Sequence, residues 1–253
     1  IGDCVLSLLE KQTGETQIVV LDDHSSDASA KIVAEIEQRV DNVRLIVNET
    51  NTGDVAGNTQ KLIDATASKY ILFMAGDDML APSYDLHAAV EIMEADRNVG
   101  AVIPRLAFMS SDEVGLQPTI YDASLLASLR SSDPHQVMRQ HLFRRVSRLF
   151  LQGVVLRRAL VEDMGGFVSG VTSDDYAFFM RLFAHLCQTG RTFHFSEASE
   201  WLYRIHSSNI HRNPVRQFTS ILEVVSRYVP QSSWAQFKWD GVTFTEYRDL
   251  DAA

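Results

Sequence analysis

Tyr70-Ile71-Leu72-Phe73-Met74-Ala75-Gly76-Asp77-Asp78-Met79-Leu80-Ala81-Pro82 is the stretch that decides how this chain reads. An apolar strand runs directly into two adjacent carboxylates, and Pro82 closes the loop that follows. Two like charges at the end of a buried strand repel each other and lose hydration, a penalty that a cation or hydrogen-bond donors must offset. A hard divalent metal carrying a phosphate ligand suits such a pair, because Mg²⁺ and Mn²⁺ take oxygen ligands and keep part of their water. The plainer account is a solvated Asp-Asp turn with Gly76 supplying the bend, and this segment alone leaves both open.

The chain around it has 253 residues, of which 45% are hydrophobic and 22% charged, an ordinary globular composition. Twenty-three basic against 33 acidic residues give a formal net charge of −10, which argues against a nucleic-acid partner. An anionic ligand at an acidic site therefore needs a bridging metal. Cys4 and Cys187 stand far apart, fit no metal spacing, and read as reduced thiols or buried small apolar groups in a cytoplasmic protein. No apolar run approaches membrane-spanning length and no signal peptide is visible, which leaves room for peripheral membrane association.

Working outward, the first half alternates strand and helix patterns, the mark of a largely parallel sheet covered by helices. Val5, Leu8 and Leu9 open a helix, residues 17–22 and 43–47 read as strands, and Ile32, Ile36 and Val40 recur at helical spacing between them. A helix is expected near 58–67, strands at 70–74 and 100–103, and between those strands a helix carrying Leu86, Ala89, Val90 and Met93. Residues 107–134, rich in Ser and Asp, read as a long loop, a candidate lid or acceptor-binding segment. Further expectations are a helix over 135–148, a strand at 151–156, a helix from Asp174 to about Cys187, a strand at 201–205 and a helix near 217–228. The reading is one α/β domain over 1–229 with a C-terminal tail at 230–253. Such sheets bind ligands at the carboxyl ends of their strands, where both Asp22-Asp23 and Asp77-Asp78 fall.

Taken in order, these segments resemble the family 2 glycosyltransferases of the GT-A fold. The matching pieces are Val20-Leu-Asp-Asp-His-Ser-Ser-Asp27, Asn51-Thr-Gly53 with Asn58, and Tyr70 to Pro82. They continue through Gly153 to Gly166-Phe167, Ser173-Asp-Asp-Tyr176 with Arg181, and Leu202-Tyr-Arg-Ile-His206, so the resemblance covers roughly residues 3–210. It implies a GT-A Rossmann-like sheet and transfer of a sugar, with inversion, from a nucleoside diphosphate donor of UDP or GDP type, assisted by Mn²⁺ or Mg²⁺. The implied acceptor is a saccharide or lipid-linked, and the implied setting is cell-surface polysaccharide assembly. Two departures stand out. The family opens with a strand that helps hold the nucleotide, whereas this chain begins inside the following helix and looks N-terminally incomplete. Ala75 also replaces the first acid of the usual Asp-x-Asp, leaving Gly76-Asp77-Asp78.

By that resemblance Asp23 accepts a hydrogen bond from the base, with Asp22 and Asn58 beside the donor. Asp77 faces the donor ribose and metal, Asp78 holds the metal on the diphosphate, and His206 joins them as a ligand or diphosphate contact. Asp175 is the implied general base, with Asp174 as the other candidate. Simpler accounts stand beside these: Ser25, Ser26 or Asp27 capping a helix, and first-turn acids opposing the helix macrodipole at 174–175. Arg181 and Arg204 fit salt bridges with nearby acids. Two rival functions are a non-catalytic sugar-nucleotide-binding module and a fragment of a metal-dependent nucleotidyl polymerase. Hydrophobic-Gly-Asp-Asp-hydrophobic serves the latter, but net acidity and the lack of a basic, aromatic template channel oppose it.

Overall fold

The computed structural model describes residues 1–110, 121, 123–143, 149–168, 174–206, 214–239 and 242–243. Helix α1 (Gly2–Lys11) leads into β1 (Ile18–Asp22), α2 (Ser29–Glu37) and β2 (Val43–Val47), and β1 and β2 pair in parallel from Ile18↔Val43 to Asp22↔Val47. Val5, Ile18, Val33 and Val43 form a small core of their own between these elements. Next come α3 (Val55–Asp64), β3 (Tyr70–Leu72), β4 (Met79–Leu80), α4 (Leu86–Ala95) and β5 (Val99–Ser110). The Asp54 carboxylate caps α3 by accepting the Gly57 N–H at 2.9 Å. At the other end of α3 the Arg158 guanidinium donates to the carbonyls of Ile63 and Thr66 at 3.1 and 2.9 Å, satisfying acceptors the helix leaves open.

The remaining elements are α5 (Ala123–Arg130), α6 (Pro134–Val137) running into a π-helical turn (Met138–Leu142), β6 (Val155–Arg157), α7 (Arg158–Asp163), α8 (Asp174–Thr189), β7 (Thr192–Ile205) and α9 (Pro214–Tyr228), followed by the short pair β8 (Lys238–Trp239) and β9 (Val242–Thr243). A five-stranded sheet has the order β3-β6-β5-β7-β4. The two long ladders of the molecule, β1–β2 and β5–β7, are parallel; β3–β6, β5–β6 and β4–β7 are short and antiparallel. Phe178, Phe179 and Phe183 of α8 are buried against Phe193 and Trp201 of β7 and Leu106 of β5, which makes α8 the centre of the main core. Phe237 is buried in the same core and Trp234 packs against it.

Several elements differ from the sequence expectation for local reasons. The stretch 107–134 is not one loop: β5 continues to Ser110, and α5 forms because Leu125 and Leu129, four residues apart, are both buried. Residues 111–120 and 122 lie outside the described residues. The strand expected at 151–156 starts only at Val155, because Gly153 adopts φ +73° and breaks the extended run. β7 begins nine residues before Trp201, its first half marked by buried Phe193 and Phe195. The helix expected over 135–148 is described only to Phe143; residues 144–148 lie outside the described residues.

β3 and β4 occupy opposite edges of the five-stranded sheet, so residues 73–78 carry the chain across it. Gly153 helps fix the start of that crossing: its N–H donates to Phe73 O at 2.9 Å, and its own carbonyl accepts the Tyr84 hydroxyl. A Cβ on Gly153 would sit 3.1 and 3.2 Å from Trp201 side-chain atoms and 3.3 Å from Pro104. Gly153→Ala therefore combines left-handed strain with overpacking, and an unfolding free energy lower by about 2–4 kcal/mol is expected in urea titration. An unchanged midpoint would show that the turn relaxes without strain.

Candidate active site

The crossing ends in a tight turn in which Asp78 N–H donates to Ala75 O at 3.2 Å. The turn points its two acids in different directions. Asp78 is 1% exposed and its Oδ1 accepts the Arg204 backbone N–H of β7 at 2.9 Å. Asp77 is exposed, and its Oδ2 lies 3.0 Å from His206 Nε2. The Arg204 side chain closes the arrangement: Nε donates to Asp77 O at 2.8 Å and Nη2 to Asp3 Oδ2 of α1 at 3.2 Å. Beneath the turn, Cys4 Sγ contacts Ala75 O at 3.4 Å, and Ser7 Oγ accepts Leu80 N–H at 3.1 Å. Burial pushes the Asp78 carboxyl up to about 7, with Asp77 adding to the rise, while the Arg204 N–H bond and the charges of Arg204 and His206 oppose it. Desolvation is the largest cause, as expected for a carboxyl buried at the end of an apolar strand.

A second cluster sits at the ends of β1 and β2. Asp22 is buried and its Oδ1 accepts Ser25 N–H at 2.8 Å. Asp23 instead holds the loop before α3, accepting the backbone N–H groups of Thr52 at 3.0 Å and Gly53 at 2.9 Å, together with Asn48 Nδ2 at 2.7 Å. The same Asn48 amide donates to Asn58 Oδ1 at 2.9 Å, its Oδ1 accepts Lys61 Nζ at 3.1 Å, and Asn58 Nδ2 donates to Thr52 Oγ1 at 3.1 Å. Asn48 is thus the hub that joins Asp23 to Asn58. Sequence reasoning passed over it because it stands just past a strand with no motif of its own; its position opposite Asp23 across a parallel ladder was the available signal. The Thr52 N–H, then the Asn48 amide, hold the Asp23 carboxyl well below the usual aspartate range.

The third group comes from α8 and β7. Asp175 Oδ1 accepts the Leu151 N–H at 3.2 Å, so the carboxylate is oriented by the segment just before Gly153. Asp174 opens α8, and its side chain lies outside what is described. Arg181, one helical face along, donates to Gly166 O at 2.7 Å and also to Met164 O, clamping the Gly165-Gly166 turn. Tyr203 ties this group to the first. Burial pushes its phenol up to about 12, and the charges of Asp78, Asp77 and Asp175 all push it the same way. Tyr203 stands between Leu202, the ladder partner of Met79, and Arg204, whose N–H holds Asp78, and its ring lies 5.9 Å from that of Phe150, next to the Leu151 whose N–H holds Asp175.

A model of glycosyl transferase family 2 matches residues 1–165. The chain belongs to glycosyl transferase family 2. An uncharacterized protein of Mycobacterium tuberculosis (strain CDC 1551 / Oshkosh), MT1568, is 31% identical over 186 residues, covering 71% of this chain and 56% of its own length. A beta-monoglucosyldiacylglycerol synthase of Trichormus variabilis is 25% identical over 175 residues, covering 69% of this chain and 36% of its own. The chain thus spans little more than half, or less, of these relatives. Among solved structures, the mannosyltransferase PcManGT from Pyrobaculum calidifontis, in complex with GDP-Man and Mn²⁺, superposes with a TM-score of 0.62 at 15% identity, covering 88% of this chain and 58% of that one. S. aureus TarS 1-349 with UDP-GlcNAc gives 0.61 at 14% identity, covering 88% and 61%. The fold of this family 2 member is that of the GT-A glycosyltransferases.

Among the described residues no three His, Cys, Asp or Glu side chains form a ready metal cage. The donor set nonetheless suits Mn²⁺ or Mg²⁺, since a solvent-facing carboxylate and an imidazole 3.0 Å apart leave coordination places for water and phosphate.

Two outcomes follow from this geometry. Arg204→Gln removes the bonds to Asp77 O and Asp3 while leaving the backbone N–H to Asp78, and a stability loss of about 1–3 kcal/mol is expected by denaturant unfolding; Asp3→Asn should reproduce only part of it. For Asp23 the sign is set by a lowered folded value: its hold on the loop is complete above the ordinary aspartate range and is lost only as pH falls through the depressed value. The Thr52 and Gly53 amide shifts should accordingly stay native when pH drops below the ordinary 3.8, and Asp23→Ala should displace them at every pH. Amides that titrate with an ordinary carboxylate would remove Asp23 from this role.

Proposed function

We propose that this chain is the catalytic domain of an inverting glycosyltransferase that moves a sugar from a UDP- or GDP-linked donor to an acceptor hydroxyl. The observation that carries the reading is that neighbouring backbone holds both acidic groups at one end of the sheet: the Arg204 N–H of β7 holds Asp78, and the Leu151 N–H, beside the Phe150 ring that lies 5.9 Å from Tyr203, holds Asp175. Inverting transfer needs those two charges together: one end must receive a diphosphate leaving group, and a base must stand on the opposite face of the anomeric carbon.

In this reading Asp175 accepts the proton of the acceptor hydroxyl as its oxygen bonds to the anomeric carbon. The bond from that carbon to the phosphate oxygen breaks, and the nucleoside diphosphate departs. Leu151 N–H keeps the Asp175 carboxylate oriented for this role. Asp77 and His206 are the side chains that would hold Mn²⁺ or Mg²⁺. Bound there, the metal would neutralise charge growing on the leaving diphosphate. Buried Asp78 anchors the turn behind them, a smaller share in metal binding than its sequence position suggests. Asp22, Asp23 and Asn58 belong to the nucleotide end, with Asp23 acting through the Thr52–Gly53 loop it shapes as well as through any direct contact with the base. The GDP-Man bound to PcManGT and the UDP-GlcNAc bound to TarS support a nucleotide-sugar donor, and the Mn²⁺ of the former supports the metal.

A saccharide or lipid-linked acceptor, and a place at the inner face of a membrane in cell-surface polysaccharide assembly, complete the proposal. Among the described residues no helix is long and apolar enough to cross a membrane.

Calorimetry of UDP and GDP with Mn²⁺, repeated with chelator, tests the donor site. Binding is expected only with the metal, and equal affinity in both would sink the metal assignment. Asp77→Ala should weaken metal-dependent binding without a change in melting temperature, whereas Asp78→Ala should lower the melting temperature by leaving the Arg204 N–H unpaired. Asp175→Asn should cut transfer about 10²–10⁴-fold while nucleotide binding survives, with Asp174→Asn much milder. Nucleotide binding without any transfer would leave a sugar-nucleotide-binding module.

A further inference from the structure

Ala56, Gln60 and Ile63 follow one another at helical spacing along α3, and the first and last of them are buried. Gln60 is the polar member of that stripe, at a place where leucine would have continued it. Its Oε1 accepts the Phe167 N–H at 3.2 Å, and its Nε2 donates to Asp64 Oδ1 at 2.9 Å. The approach is close: a Cβ on Gly166 would collide with Gln60 Oε1. Arg181 of α8 holds the same turn by its carbonyls, donating to Gly166 O and Met164 O. Packing does not fill the space beside the turn, where a recess of about 250 Å³ opens between Gln60, Ile63, Val161, Glu162, Gly165 and Gly166. Hydrogen bonds therefore carry much of the restraint.

What the turn delivers is Phe167. Its ring stacks on Phe178 of α8, 4.8 Å away and inclined by 11°, and meets Phe73 edge-on at 5.3 Å and 76°. Phe178 lies three residues past Asp175, on the same side of α8. Phe73 pairs with Gln152, and its carbonyl accepts the Gly153 N–H, just beyond the Leu151 whose N–H the Asp175 carboxylate accepts at 3.2 Å. Phe167 thus bears on both supports of the Asp175–Leu151 bond: the helix that carries the acceptor and the segment that carries the donor. Moving its ring changes the spacing across that bond. We propose that Gln60 is a positioning residue for Asp175: by holding the Phe167 N–H it sets where the ring sits between Phe178 and Phe73, and so how the carboxylate is aimed. Asn58, two residues earlier on α3, bonds to the Asn48 amide that also holds Asp23, so one helix reaches both acids. The task of Asp175 as a base rests on the glycosyltransferase reading; the link from Gln60 to its carboxylate stands or falls separately.

The test uses NMR on the full chain. Phe150-Leu151 is the sole Phe-Leu pair in the sequence and Gly166-Phe167 the sole Gly-Phe pair, so labelling each pair with carbonyl ¹³C and amide ¹⁵N singles out the Leu151 and Phe167 amides. Asp175→Ala removes the acceptor and marks the full displacement of the Leu151 amide. Gln60→Leu extends the apolar stripe with a strong helix former. It should move the Phe167 amide, and the Leu151 amide toward its Asp175→Ala position. Gln60→Glu still offers an oxygen to the Phe167 N–H and should leave the Leu151 amide native. In parallel, release of UDP from UDP-GlcNAc and of GDP from GDP-Man is followed with Mn²⁺, water standing in for the acceptor hydroxyl. Gln60→Leu should lower kcat by about 10- to 10²-fold with KM kept, and Gln60→Glu should keep both. A Leu151 amide that stays native in Gln60→Leu while Phe167 moves, one displaced equally by Gln60→Glu, or a kcat that survives Gln60→Leu would overturn the proposal. The amide pattern decides the geometry whether or not either donor turns over. If the amides respond as expected while neither UDP nor GDP binds with Mn²⁺ in calorimetry, the link to Asp175 stands and the transferase reading falls.

Discussion

The bond from the Arg204 backbone N–H to the Asp78 carboxylate holds the site together. Without it the chain would cross from β3 to β4 with a buried, unpaired charge in its path, a penalty no small domain carries easily. With it, the crossing is fastened to β7, and everything that β7 and the crossing bear falls into place. Asp77 turns outward beside His206, and the Arg204 side chain reaches past the turn to Asp3 on the first helix. The price is an acid whose charged state is disfavoured by burial, in a place where a cation is the natural remedy.

The two acidic pairs at the strand ends look alike in sequence and behave differently in space. Asp78 is buried and held by the Arg204 N–H, while Asp77 faces solvent beside His206. Asp23 has its charge met by backbone donors of the next loop and by the Asn48 amide, so it is a shaper of the loop before it is anything else. A carboxylate already satisfied by the protein is rigid; one short of partners is available to a ligand. That difference distinguishes a wall of the site from its working surface.

Much of this was legible in the sequence because the signals were local. The alternation at residues 17–47, the helical spacing of Ile32 and Ile36, and the strand-to-Asp-Asp junction each carry their own pattern over a few residues. Antiparallel entries into the sheet were not legible, since β4 is two residues long and its pairing with Leu202 and Trp201 depends on chain some 120 residues away. The same holds for α5, whose Ser-rich composition hid two core leucines, and for Gly153, whose positive φ truncates an apolar run that alone reads as strand. At the candidate site, the residues that bear charge stand in motifs that can be read from the sequence. Those that only arrange it, Asn48, Leu151 through its N–H, and Tyr203, were not legible in that way, because arrangement is a property of pairs and the pairs are distant in sequence.

The irregularity in the β5–β7 ladder has a consequence for which side chains meet. Before it, Pro104 pairs with Ser196; after it, Arg105 pairs with Glu200, so Glu197, Ala198 and Ser199 have no partner in the ladder. Pro104 has no N–H to give to the ladder, and Glu197 and Ser199 are tethered aside to Arg130 and to the Asp85 N–H. Three is an odd number, and pleated strands alternate faces with every residue. The interruption therefore swaps the parity of β7 against β5: Phe195 shares a side with Ile103, an odd residue with an odd one, whereas Tyr203 shares a side with Phe108, an odd residue with an even one. Removing a single residue from 197–199 would leave an even number of unpaired residues, and the alternation of β7 would then run in phase with that of β5 on both sides of the interruption. Length in that short segment is thus a coded quantity: an odd number of residues changes the phase of the pleat between the two halves of β7, and an even number would carry it through.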